Sequence, residues 1–266
     1  MPEKEKHSRL KSRKNRKGAK SRKKTISLSD CRAIFKRLGT PPNIKRHCYA
    51  VSRLAYFLAK RMQEKGIEVD TDAVRKAALL HDALRYVDIR QFRFYLNISP
   101  ADRRKIAKFR KAYAGLSHEE AMKRFIKSSC NCEKCDKIAE IIRRHCYGCI
   151  ASKSLRPETW EQKLVNYADK RVSHSKIVSL KERFEEGHRR NNDKGLIFGH
   201  SIGYIDSLYF RLEKEIFRII KISPNSIGRL VLRKTGKRQN NNNQTKSNQT
   251  KSNQTKSNQG SDRKKG

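Results

Sequence analysis

Ala77-Ala78-Leu79-Leu80-His81-Asp82-Ala83-Leu84 is an apolar run that closes on an imidazole and a carboxylate set side by side. Burying one unpaired polar group costs about 2–7 kcal/mol, and a charge costs more, unless something compensates. A metal ion compensates well, because neutral histidine nitrogen and ionised aspartate oxygen are both good ligands. Taken alone, a His-Asp pair reads more readily as a water-facing helix end. The rest of the chain changes that reading.

Working outward, nearly every segment carries helical spacing. Ser29-Asp30 is expected to cap a helix that stops at Gly39, before Pro41-Pro42. Asn43 is the expected cap of the next, where His47, Val51, Leu54, Leu58 and Met62 share one stripe, and Gly66 ends it. Thr71-Asp72 starts the helix that carries His81-Asp82. Residues 88–115 read as two short basic helices, the second opened by Ser99-Pro100-Ala101-Asp102 and closed by Gly115. Ser117 caps a helix with His118, Ala121, Met122, Phe125 and Ile126. Helices are also expected from about Asp136 to Tyr147, from Thr159, from Lys176 to Glu186, and from about Tyr204 to Ile222. Strand signals are almost absent, so the expectation is an all-α domain over residues 25–233.

His47, His81, His118, His145 and Asp169 each fall on, or at the end of, the apolar face of their own helix. A single such histidine is usually a satisfied core residue. Four of them with two carboxylates, from five helices, are hard to satisfy by pairwise hydrogen bonds, and facing helices build metal sites in this way. Nitrogen and oxygen donors without thiolates suit Fe, Mn, Mg, Ni, Co or Zn.

The words around these residues carry a resemblance. Pro42-Asn43-Ile44-Lys45-Arg46-His47, then Ala78-Leu79-Leu80-His81-Asp82, then Tyr167-Ala168-Asp169-Lys170-Arg171 resemble the signature of the HD-domain metal-dependent phosphohydrolases. His118, in Leu116-Ser117-His118-Glu119, and His145, in Arg143-Arg144-His145-Cys146-Tyr147-Gly148, are similar to the subgroup with two further histidines and a dinuclear centre. That subgroup includes the bacterial symmetrical dinucleoside-tetraphosphate hydrolases. The likeness spans roughly residues 29–222.

The resemblance implies a helical bundle that binds divalent metal ions, two of them in this subgroup. One would be held by His47, His81, Asp82 and Asp169, and the second by a bridging Asp82 with His118 and His145. It implies cleavage of a phosphoester or phosphoanhydride bond of a nucleotide-type substrate by a metal-activated water, with His81 and Asp82 in the catalytic machinery. Lys170, Arg171 and Arg85, adjacent to ligand positions, are the candidates to clamp phosphate. The chain departs from the family after His81-Asp82, where Ala83-Leu84-Arg85 stands and a basic insertion, 88–115, follows. That insertion allows a larger anionic substrate, RNA among them.

Composition agrees with an anionic partner. The 266 residues hold 65 Lys+Arg against 26 Asp+Glu, a formal net charge of +39. Residues 1–24 carry 12 basic and 2 acidic side chains and read as a disordered basic arm. Residues 234–266 carry 9 and 1 and contain Asn-Gln-Thr-Lys-Ser three times from Asn243 to Ser257, a low-complexity tail. The domain between keeps 44 basic and 23 acidic residues, so the excess is not confined to the tails. Non-specific nucleic-acid contact through arm and insertion is therefore the second reading, with the metal core structural; a third is redox chemistry on a related helical di-iron centre. No run of about 18 apolar residues marks a membrane span, and the basic N-terminus lacks the apolar core expected of a signal peptide. Seven cysteines without such a signal point to a reducing cytoplasm and free thiols. Cys132-x-x-Cys135 and Cys146-x-x-Cys149 have zinc-site spacing, with Cys130 left over. An intervening helix at about 1.5 Å per residue would hold those two pairs too far apart for one ion.

Overall fold

Ser27 opens the first helix of the described residues, two residues before the expected cap. Its hydroxyl accepts the Asp30 amide at 3.1 Å while Asp30 accepts the Ser27 amide at 3.0 Å, a capping box that satisfies two end donors reciprocally. The computed structural model describes residues 26–89, 98–130, 132–191 and 195–231. The arm 1–24, the tail 234–266 and the first short helix expected in 88–115 lie on or largely on residues outside that set. The described helices are α1 (Leu28–Leu38), α2 (Pro42–Gln63), α3 (Thr71–Leu80), α4 (Pro100–Ala112), α5 (His118–Ser129), α6 (Glu133–Arg143), α7 (Trp160–Lys170), α8 (Leu180–Asn191) and α9 (Ile202–Ile220). The all-α expectation holds, with two small hairpins added.

Gly39 ends α1 in the left-handed region at φ 68°, a conformation glycine takes without a Cβ penalty. Pro42 then occupies the first position of α2, where its missing N–H leaves no bond unmade, so Asn43 lies inside the helix and is not its cap. Ile44, Cys48, Val51, Ala55, Leu58 and Met62 bury one stripe of α2. α3 starts at Thr71 as expected, capped by Asp70, which accepts the Ala73 amide at 2.9 Å. In α3, Ala73, Val74, Ala77, Ala78, Leu79 and Leu80 are all buried, so this helix is covered on almost every side. It packs against α2, α6 and α7. Each fully buried leucine there contributes about 1.5–3 kcal/mol.

α5 and α6, joined by three residues, pack on each other as a hairpin. α6 begins earlier than expected and stops at Arg143, so His145 stands on irregular backbone beyond its end. The other differences lie after α7. Val172–Ser173 and Lys176–Ile177 pair antiparallel as β1 and β2, and Leu196–Ile197 and His200–Ser201 as β3 and β4. The helix expected from Lys176 therefore starts at Leu180. Strands of two residues are too short for alternation to register in sequence.

The β3–β4 turn seats directly on Gly148. A Cβ placed there would meet the Phe198 ring at 2.7 and 2.9 Å and the Ile197 side chain closer still. Gly148→Ala is thus expected to lift this hairpin and leave the bundle intact. Proteolytic nicking within 195–201 should rise several-fold at unchanged far-UV circular dichroism; unchanged nicking would mean the hairpin absorbs the methyl group. No helix among the described residues is long and apolar enough to cross a membrane.

Candidate metal centre

α3 ends at Leu80, and the chain turns immediately, with the Ala83 amide donating to Leu80 at 3.0 Å and the Arg85 amide to Asp82 at 2.9 Å. The turn is pinned from outside. The Thr40 hydroxyl donates to the Ala83 carbonyl at 2.9 Å, and the Tyr86 hydroxyl donates to the Leu38 carbonyl at 2.8 Å. Both pins tie the turn to the end of α1 and the corner that follows it, Leu38 to Thr40, which explains why the His81-Asp82 step holds one orientation. The His145 segment is fixed in a similar way. Asn166 donates its amide to the Arg144 and Cys146 carbonyls at 2.8 and 3.3 Å, and the Tyr209 hydroxyl donates to the Tyr147 carbonyl at 3.0 Å.

These supports bring His47, His81, Asp82, His118, His145 and Asp169 together. His47 Nε2 lies 2.9 Å from Asp169 Oδ1 and 3.9 Å from Asp82 Oδ2. His81 Nε2 lies 3.4 Å from Asp169 Oδ1 and 3.8 Å from Asp82 Oδ2. On the other side of Asp82, His118 Nε2 is 3.0 Å and His145 Nε2 3.4 Å from Oδ1. Asp82 therefore turns one oxygen to each half of the cluster. Two overlapping triads of donor atoms meet at its centre, His47-His81-Asp169 and His81-Asp82-His145, and a third, His118-Glu119-His145, adjoins them.

The outward ring nitrogens show how the inward ones are prepared. His47 Nδ1 is 3.1 Å from the His174 carbonyl, His81 Nδ1 2.8 Å from the Ala78 carbonyl and His145 Nδ1 2.6 Å from the Ile142 carbonyl. A carbonyl only accepts, so Nδ1 carries the hydrogen and Nε2 is the nitrogen turned inward, with its lone pair available whenever the ring is neutral. His118 Nδ1 donates to Asp88 Oδ2 at 2.6 Å, to the same effect; the Arg85 Nη1 that also lies 2.8 Å from this nitrogen is then a second donor beside it and not its hydrogen-bond partner. His118 and His145 then point their Nε2 atoms at each other across 3.3 Å, a contact that needs a proton or a cation between them. His81 Nε2 is fully buried and has no hydrogen-bond partner. Such an orphan costs about 1–3 kcal/mol. The donor set thus fits a divalent metal ion.

Electrostatics agree. Burial would push the Asp82 carboxyl up, but His81 and the hydrogen bonds from His118 and His145 hold it well below the usual carboxylate range. Asp169 is likewise held down, against burial, by Lys170, His47 and His81. Burial disfavours charge on His118, and Arg85 adds to that; Glu119, Asp82 and Asp88 outweigh both and push it up to about 9. The cluster is built to hold positive charge.

The three cations expected near phosphate are placed differently from one another. Arg85 stands at the rim, its Nη1 3.2 Å from Asp88 Oδ1 and 2.8 Å from His118 Nδ1. The Lys170 ammonium is buried between Asp169 and the His145 carbonyl. Arg171 turns away altogether, to Glu213 at 2.7 Å and to the Val178 and Pro224 carbonyls at 2.6 and 3.2 Å. Sequence reasoning missed Asp88 and Glu119, carboxylates against His118 Nδ1, of which Glu119 is buried and Asp88 is exposed at the rim. Glu119 adjoins His118 in sequence and was visible; Asp88 sits beyond a tight turn, where no periodicity reaches. His174 was also missed, because its contribution is a backbone carbonyl at a β1–β2 turn with φ 54°.

With this geometry in place, comparison with known proteins adds three findings. Residues 44–173, just under half of the chain, match the family model of the HD domain. An uncharacterized protein of Methanocaldococcus jannaschii is 52% identical over 40 residues, a stretch covering 15% of this chain and 24% of that relative's length. No solved structure matches significantly.

Proposed function

We propose that the HD domain of residues 44–173 makes this chain a metal-dependent phosphohydrolase, with two divalent ions and a nucleotide-type substrate. The observation that carries the reading is the inward convergence of four histidine Nε2 atoms on two carboxylates, each Nδ1 tied outward. His47, His81, Asp82 and Asp169 would hold one ion, and Asp82, His118 and His145 the other. Bound there, divalent ions acidify a water towards neutral pH and offset the charge of phosphoryl oxygens.

The chain's own groups do the positioning. Asp82 ties the two halves through its two oxygens. Asp88 fixes the His118 ring from behind. Lys170 holds the Asp169 carboxylate and the His145 backbone together, so it acts as a brace between the two halves. Arg85, partly exposed at the rim, offers a fork of donors to a phosphate. The net positive charge of the domain raises the local concentration of anionic substrates. Binding of a dinucleoside polyphosphate, the substrate of the resembling subgroup, would use the same contacts.

The test is elemental analysis of the purified chain together with phosphate release from a panel of mononucleotides and dinucleoside polyphosphates. Metal content near two per chain, and turnover abolished by a chelator and restored by a divalent ion, is the expected result. Metal binding without turnover of any member would favour a structural centre instead. A finer expectation concerns Asp88. Partners of ligating histidines typically contribute 10–100-fold in metal affinity. Asp88→Asn should therefore weaken the His118 site by about that factor and leave the affinity of the His47 site within a few-fold. Titration calorimetry that shows both sites equally affected, or neither, would remove Asp88 from this role.

A further inference from the structure

Sequence spacing sets Cys132 with Cys135 and leaves Cys130 over, but the fold collects all three. At the turn of the α5–α6 hairpin the backbone is extended at Cys130 (φ −144°, ψ 138°) and Cys132 (φ −154°, ψ 156°), and Cys135 follows in the first turn of α6. Their sulfurs meet. Cys132 Sγ lies 3.5 Å from Cys130 Sγ and 3.2 Å from Cys135 Sγ, while Cys130 and Cys135 are joined as a disulfide with Cα atoms 6.2 Å apart. Cys146 and Cys149 pair separately beyond the far end of α6, so the four-cysteine grouping does not form; Cys130, Cys135, Cys146 and Cys149 are not the free thiols expected from sequence, whereas Cys132 is free. A disulfide uses two sulfurs. It gives no account of a third held against both.

We propose that Cys130, Cys132 and Cys135 form a second kind of metal site, a three-thiolate clip for a thiophilic cation such as zinc. Thiolates at about 2.3 Å around a tetrahedral ion sit roughly 3.8 Å from one another, about 0.3 and 0.6 Å more than the two Cys132 separations of 3.5 and 3.2 Å. The positive end of α6 favours thiolates at its N-terminus, where Cys132 is the cap and makes no side-chain capping bond. Cys132 is half-buried, which leaves the fourth tetrahedral position to solvent. The clip lies at the closed end of the hairpin and His118 at the open end, on the order of 18 Å apart at a rise of 1.5 Å per residue. It is therefore independent of the histidine–aspartate centre, and it would fasten the turn that sets those two helices side by side.

Loading requires the Cys130–Cys135 bond to be reduced. A phosphine reductant supplies the two electrons, taking oxygen from water to become the phosphine oxide and leaving two thiols. Three thiols then release three protons as they bind the cation.

The experiment uses the full chain, reduced by a phosphine and titrated with cobalt(II) without air. Thiolate-to-cobalt charge transfer absorbs in the near ultraviolet, and nitrogen and oxygen ligands give no such band. The band should appear in the wild type and in Asp82→Ala alike, persist in the Cys146→Ser/Cys149→Ser double variant, and require at least tenfold more cobalt in Cys132→Ser. A second measurement needs no variant: zinc should protect Cys130, Cys132 and Cys135 from alkylation, mapped by peptide mass spectrometry. Absence of the band in the reduced wild type, its full retention in Cys132→Ser, or equal alkylation with and without zinc would each overturn the proposal.

Discussion

Asp82→Ala is expected to abolish metal binding at both halves of the centre and to lower phosphate release by well over a hundredfold. The size follows from position. Outer partners of ligating histidines already cost 10–100-fold when removed, and Asp82 is the residue that faces all four imidazoles. Its loss deletes one oxygen from the His47–His81 side and the other from the His118–His145 side. The fold should survive, because Asp82 sits in a turn pinned through Thr40 and Tyr86 by hydrogen bonds that do not use its carboxylate. Circular dichroism and elemental analysis on the same sample make the check. Wild-type metal content and turnover in this variant would refute the centre, while loss of helix content would show that Asp82 supports the fold.

His118→Ala separates one ion from two. It should lower metal content from about two per chain towards one and leave the His47–His81–Asp169 triad intact, since His118 makes no contact below 4 Å with those side chains among the pairs described. Unchanged content would mean a mononuclear centre.

The residues that converge at the centre were legible in sequence because most of them fall where helical spacing keeps apolar company. His81 follows Leu79-Leu80, and Asp169 follows Ala168 on the buried side of α7. What spacing could not supply was contact across irregular backbone. His145 was expected inside a helix and stands past its end, held by Asn166 and Tyr209 from two other helices. Asp88, the His174 carbonyl and the cysteine triad all belong to turns, where geometry depends on φ and ψ choices that residue type constrains weakly. Adjacency in sequence also misled in one place. Lys170 and Arg171 follow a ligand directly, so both were candidates for phosphate, yet a helix sends neighbours about 100° apart. Only the direction of Lys170 keeps it at the centre.

Arg171→Ala should therefore damage stability far more than chemistry. The guanidinium is buried and donates to the Glu213 carboxylate, the Tyr167 hydroxyl and the Val178 and Pro224 carbonyls, joining α7 to α9 and to the segment after each. Removing one partner of a buried ion pair leaves the other charge uncompensated and costs about 3–5 kcal/mol. Native proteins are typically stable by only about 5–15 kcal/mol, so much of the margin would go. Replacing both partners, as in Arg171→Met/Glu213→Leu, removes the stranded charge and should recover part of the loss, because the pair's own net contribution is small once desolvation is counted. Urea unfolding of the two variants beside wild type measures this difference. At temperatures where Arg171→Ala remains folded, its turnover per folded chain should stay within a few-fold of wild type. If instead stability is unchanged and the KM for phosphate substrates rises tenfold or more, Arg171 reaches substrate, and its tie to Glu213 is a resting contact broken during catalysis.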